Sequence, residues 1–172
     1  MVAVRGTSVS IDVRAGTLEH AERAEGVDIG LRVFLGQQQA VVSSSDTSAA
    51  TMAEMAQRAV AMAREAPEDP FAGLARPDQL ATDWNVEALE LADPTPEPDP
   101  AALEQDARAA EAAAQAIKGV TQVQSTGAAY GAQQVHMAAT NGFSGGYRRT
   151  TRSTSSRICR PVRAISIWTR SR

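Results

Sequence analysis

Seven of the eight prolines in this 172-residue chain fall between Pro67 and Pro100. Proline fixes its own φ and has no amide to donate, so neither a helix nor an inner strand can run through such a stretch. Pro94, Pro96, Pro98 and Pro100 are interleaved with Glu97 and Asp99, and further acids precede them. The segment is expected to be a long acidic connection lying over a surface, its carboxylates a solvated face. Whatever core the chain builds must come from the blocks on either side.

The front block reads as strands and then a helix. Val9, Ile11 and Val13 alternate with Ser8, Ser10, Asp12 and Arg14, the period of a half-buried strand. Ala15-Gly16 supplies a turn into a polar strand from Thr17 to Ala24, and Glu25-Gly26 turns again into Ile29, Leu31, Val33 and Leu35. Gly36 and three glutamines lead to Ala40-Val41-Val42, which makes four short strands of an antiparallel meander. A helix is expected over Ser48 to Ala66, with Ser48 as its N-cap and Pro67 as its stop. Met52, Met55, Ala56, Ala59, Met62 and Ala63 share one stripe, opposite Glu54, Gln57, Arg58 and Glu65. Methionines can form an adaptable binding face; beside a meander this stripe reads as the core face.

In the rear block Asp99 caps a second helix with Pro100 in its first turn. Leu103, Ala107, Ala110, Ala114 and Ile117 recur at helical spacing, and Lys118-Gly119 closes the run. From Val120 the period returns to two, with Val123 and then Val135, Met137 and Ala139 against Gln134, His136 and Ala138. Tyr130-Gly131 and Asn141 to Gly146 read as turns. Tyr147 to Ser156 is polar on both faces and suits an edge strand. The class is α+β: antiparallel β meander, amphipathic helix, acidic Pro-rich connection, second helix, then further antiparallel strands.

Composition narrows the function classes. Hydrophobic residues make up 43%, but alanine is the largest contributor and aromatics are 4%, so the core is thin. The single cysteine, Cys159, excludes an internal disulfide framework. No apolar run reaches the roughly 18 residues of a membrane span, and no basic-then-apolar leader opens the sequence, so the expected location is cytoplasmic. The net charge of -3 conceals a split. Up to Gly146 there are nine Lys plus Arg against 20 acids, 9 - 20 = -11, and from Tyr147 onward eight Arg and no acid, +8.

Residues that could carry chemistry are sparse. A zinc hydrolase needs about three protein ligands, whereas the two histidines, His20 and His136, lie far apart and neither is paired with Glu at helical spacing. Both read as polar-face strand residues. Cys159 has no partner motif. Gly142-Phe143-Ser144-Gly145-Gly146 sits between strands rather than between strand and helix, so it is a turn and not a phosphate cradle. No catalytic, cofactor-binding or metal residue is assigned from the residues themselves.

Three stretches, in order, resemble the TldD/PmbA family, the "modulator of DNA gyrase" proteins. They are Gly30-Leu31-Arg32-Val33-Phe34 with Ser43-Ser44-Ser45-Asp46; Ala63-Arg64-Glu65-Ala66-Pro67-Glu68-Asp69-Pro70-Phe71-Ala72-Gly73-Leu74; and Ser125-Thr126-Gly127-Ala128-Ala129-Tyr130 followed by Ala139 to Tyr147. The third is more similar to the PmbA (TldE) branch. The resemblance implies the N-terminal part of a two-domain subunit, and a TldD–PmbA heterodimer that is a zinc-dependent peptidase acting on peptides. It places the zinc ligands in the TldD branch, on a His-Glu-x-x-x-His helix and a later cysteine, and nothing here matches them. No cofactor is therefore expected in this chain, zinc being expected in a TldD-type partner.

The resemblance extends over residues 2 to about 156, without the amphipathic helix that usually precedes the first strand. Residues 157–172, all arginine and no acid among the charged positions, are expected to be a disordered basic tail read in a shifted frame. The leading expectation is a truncated PmbA/TldE-like subunit, inactive alone, with a TldD-like subunit and peptide substrate as partners of the complete protein and no membrane partner. The alternative is a non-enzymatic binding module whose basic tail contacts nucleic acid. The acidic body disfavours it.

Overall fold

The computed structural model describes residues 1–83 and 85–159. Strands β1 (Val2–Arg14), β2 (Thr17–Leu35) and β3 (Gln38–Ser44) come first, followed by helix α1 (Ala49–Glu65). After the connection come α2 (Pro100–Gln115), β4 (Gln122–Ala138) and β5 (Ser144–Cys159). The five strands form one antiparallel sheet in the order β3-β2-β1-β4-β5, which leaves β3 and β5 at its edges. The α+β class and the order of elements are as the sequence indicates, and β5 is the polar edge strand expected.

Three expected turns are placed differently. β2 runs straight through Glu25-Gly26, so the meander has three strands, not four. The reason lies in its neighbour: a two-residue turn after the 13 residues of β1 calls for about as many partners, which carries β2 past Gly26. Tyr130-Gly131 also lies inside a strand, β4. There glycine serves a close approach, since a Cβ on Gly131 would stand 3.1 Å from Thr151 Oγ1. The turn between β4 and β5 lies at residues 139–143, with Gly142 at φ 94°, while Gly145 and Gly146 belong to β5. β5 continues through Arg157, Ile158 and Cys159, past the boundary expected after Ser156. Thr121 N–H donates to the Cys159 carbonyl at 3.1 Å. The rest of the expected tail, 160–172, lies outside the described residues.

The chain divides into two compact units, one of Met1–Ser8, Arg23–Pro96 and Gly131–Thr151, the other of Val9–Glu22, Glu97–Tyr130 and the segment from Arg152. In the first unit, β2 and β3 pair with Leu31 opposite Val42 and Val33 opposite Ala40. Ile29, Val42, Met55 and Ala59 form its core, with Leu31 and Val33 packed against them. Helix α1 is capped as expected, Thr51 N–H donating to Ser48 Oγ at 3.2 Å. Its buried face is narrower than the methionine stripe: Met55, Ala59 and Ala63 are buried, whereas Met52, Ala56 and Met62 are exposed. Small side chains at two of three buried positions let the helix sit close, while Met52 and Met62 stay in water.

The second unit buries Val9, Ile11 and Val13 of β1, Leu103, Ala107 and Ala114 of α2, and Val123, Ala128 and Tyr130 of β4. Asp99 caps α2, its Oδ1 accepting from Ala101 N–H at 2.8 Å, with Pro100 in the first turn. The helix ends at Gln115, so Ile117 is exposed, and Ala110 is only half-buried. In their place Glu111 is buried. The turn between β1 and β2 explains it. Ala15 and Gly16 both take positive φ, which aims their amides the same way, and Glu111 accepts from them at 2.7 and 2.8 Å. Arg108, one turn earlier, donates to the Gly16 carbonyl.

Candidate functional site

Among its described residues, the connection from Pro67 to Asp99 contains no helix longer than the short 3₁₀ turns Pro77–Gln79 and Glu87–Leu89. It is nevertheless tied down, because its amides find partners in the strands. Thr150 N–H donates to the Leu91 carbonyl at 3.0 Å, and Asp93 N–H donates to Thr150 Oγ1 at 2.7 Å. These bonds hold residues 86–94 beside β5 and leave a cleft of about 680 Å³. Glu87, Glu90, His136, Tyr147 and Arg148 bring polar groups to its lining, and Val86, Leu91 and Val135 bring apolar ones. Its volume lies in the range of small-ligand sites.

His136 stands in β4 with its Nε2 3.2 Å from Ser144 Oγ. The ring lies over Gly146, where a Cβ would meet the Val135 carbonyl and come within 3.0 Å of His136 Nδ1. Gly146 is thus required by the close approach of β5 to β4. A serine nucleophile needs a base that is itself oriented by a third group. Among the described residues no carboxylate pairs with His136, so this contact ties two strands together.

The other sequence candidates lie apart. His20, in the second unit, is exposed on β2 and faces Glu22 at 3.5 Å. Cys159 ends β5 in the second unit and is half-buried. Among the described residues no group of three or more His, Cys, Asp and Glu side chains is placed to hold a metal ion. The donors present therefore do not fit a tetrahedral zinc site. Of the β5 arginines, Arg152 pairs with Asp106 at 2.6 Å and Arg148 lines the cleft. The second unit has a smaller concavity of about 370 Å³ beside the β1–β2 turn, lined by Arg14, Gln115, Thr121 and Gln122 among others.

The linker acids Glu87 and Glu90 are exposed, as the sequence indicates, and the structure adds that both line the cleft.

Comparison with known proteins bears on what such a fold is for. The family model for PmbA/TldA metallopeptidase domain 1 matches residues 2–63. Over 115 residues the chain is 34% identical to Metalloprotease PmbA of Escherichia coli O157:H7, an alignment covering 67% of this chain and 25% of that protein. The chain thus spans about a quarter of the length of this curated relative. Among solved structures, a protein named as a modulator of DNA gyrase from Bacteroides thetaiotaomicron superposes with a TM-score of 0.75 at 17% identity, covering 95% of this chain and 37% of that one. TldE from Thermococcus kodakarensis gives a TM-score of 0.68 at 14% identity, over 95% of this chain and 36% of that one. At these identities the structural likeness shows the fold.

Proposed function

The chain belongs to the TldD/PmbA metallopeptidase family, and from that membership we propose that it acts as the first-domain part of a PmbA-like subunit in a TldD–PmbA-type peptidase. In this reading the substrate is a peptide and a TldD-type partner supplies the zinc. The observation that carries it is the 34% identity to a metalloprotease PmbA over 115 residues. The donor arrangement supports the division of labour. His20 has Glu22 beside it and His136 has Ser144, and neither histidine belongs to a three-donor group among the described residues. The chain's own contribution is then a paired sheet that presents binding surface, and no proton-transfer or hydrolytic step is assigned to its residues.

The test is reconstitution. The purified chain alone is expected to leave an unstructured peptide uncleaved, with or without added zinc. Co-purification with a TldD-type zinc subunit would support the reading. Chelator-sensitive cleavage by the chain alone, free of any partner, would overturn it.

A further inference from the structure

The most exposed large apolar side chain among the described residues is Phe71, at 94% of its full exposure. Phenylalanine is among the residues most often buried, and single exposed apolar residues are common enough to need no cause. Phe71 differs because the backbone beneath it is fixed. Asp69 N–H donates to the Gln37 carbonyl at 2.9 Å, anchoring the loop to the β2–β3 turn. The Asp69 carboxylate and carbonyl accept from Phe71 N–H and Ala72 N–H, each at 2.9 Å. Gln38 Nε2 donates to the Ala66 carbonyl at 2.7 Å, and Asn141 Nδ2 to the Ala75 carbonyl at 2.9 Å. Pro67 and Pro70 remove further freedom. The loop is held at both ends, and between them Phe71 and Leu74, 47% exposed, face water.

A rigid loop presenting an aromatic side chain has already met most of the ordering cost that binding imposes. Aromatic anchors of this kind dominate protein interfaces when they enter a pocket. The segment that carries the anchor is acidic, with Glu68 and Asp69 just before it. From Pro67 to Pro96 there is one base against seven acids, 1 - 7 = -6, and that base, Arg76, pairs with Asp78 at 3.1 Å. An acidic segment of this kind repels nucleic acid and anionic lipid, and it complements an apolar pocket rimmed by Lys and Arg on a folded protein.

We propose that Phe71, with Leu74, is a preformed anchor that docks into an apolar, basic-rimmed pocket on the TldD-type zinc subunit. The choice of that partner rests on the function proposed above; the anchor itself rests on the loop.

The experiment measures binding of the full chain to a purified TldD-type subunit by calorimetry, for the unaltered chain and for Phe71→Ala, Leu74→Ala and Phe71→Tyr. Phe71→Ala is expected to weaken binding by about 30-fold or more, and Phe71→Tyr to retain most of it. Added salt should weaken the unaltered complex. Because Phe71 is so exposed, the circular dichroism and melting temperature of Phe71→Ala should match those of the unaltered chain. Binding by the unaltered chain that Phe71→Ala and Leu74→Ala leave intact would overturn the anchor but not the proposed function. No binding by the unaltered chain would overturn both. A self-associated chain that Phe71→Ala renders monomeric would assign the anchor to a second copy and overturn the proposal.

Discussion

A carboxylate that is only 3% exposed must have its charge met by donors close at hand, and Glu111 meets it with two turn amides at 2.7 and 2.8 Å. Glu111→Ala would leave both amides without their acceptor. We expect it to lower stability by about 2 kcal/mol in denaturant unfolding, with Glu111→Gln less damaging because one acceptor survives. Ala15, in the same turn, holds a φ of 49°, a region where a Cβ is strained. Ala15→Gly should therefore stabilise the protein by about 0.5 to 1 kcal/mol, after allowing for the greater freedom of glycine when unfolded. Glu111 was not legible as a buried group, because a glutamate within an alanine-rich helix reads as a surface residue until the turn it caps is known. Asp46 before α1 is a third local case. Thr51 Oγ1, Ser48 N–H and Ser48 Oγ all donate to it and hold its carboxyl below the ordinary aspartate range, against a smaller opposing effect of desolvation. With its folded pKa below the unfolded one, Asp46 contributes stability above the unfolded pKa and loses it as pH falls through the folded value. Thr51→Val should move the Asp46 titration midpoint upward, a shift that carboxyl-carbon NMR would read directly.

Helix ends announced by a capping residue or a proline were legible to within a residue or two, whereas α2 ends at Gln115, short of the Lys118-Gly119 close that its spacing indicates. Ser48, Pro67, Asp99 and Pro100 act on their own neighbours, so local chemistry settles where α1 begins and ends and where α2 begins. Strand lengths were less legible because they depend on a partner strand. Gly26 and Gly131 carry the letters of a turn but lie in extended strands, one because β1 needs a longer partner, the other because Thr151 comes close. In β4 the buried positions also slip from Val123 to Thr126, Ala128 and Tyr130, which breaks the alternation that a reader follows. Burial depth within a helix has the same dependence on neighbours. Met55→Ala should cost about 2 to 5 kcal/mol, whereas Met62→Ala, on the exposed side of α1, should change stability by no more than about 0.5 kcal/mol. Thermal melts of the two variants would distinguish a core methionine from a surface one.

At the scale of the whole molecule, the strongest sequence feature, the proline-rich acidic segment, belongs to the first unit from Pro67 to Pro96 and is tied down there. Its amides are tied to β5 and to the β2–β3 turn, and it supplies one wall of the 680 Å³ cleft and the loop that displays Phe71. The cleft could not be read in advance because Glu87 and His136 are about fifty residues apart in sequence and share no periodicity. Family membership, by contrast, was legible from three ordered stretches, since they survive as recognisable text where single chemical motifs do not. In the function proposed above, the chain contributes surface to a peptidase and a TldD-type partner holds the metal. Zinc stoichiometry of the purified chain, measured by elemental analysis after dialysis against trace zinc, distinguishes this division of labour from a zinc site in the chain itself. Far less than one zinc per chain is expected, unchanged in a His20→Ala, His136→Ala double variant. One tightly held zinc per chain, lost in that variant, would contradict it.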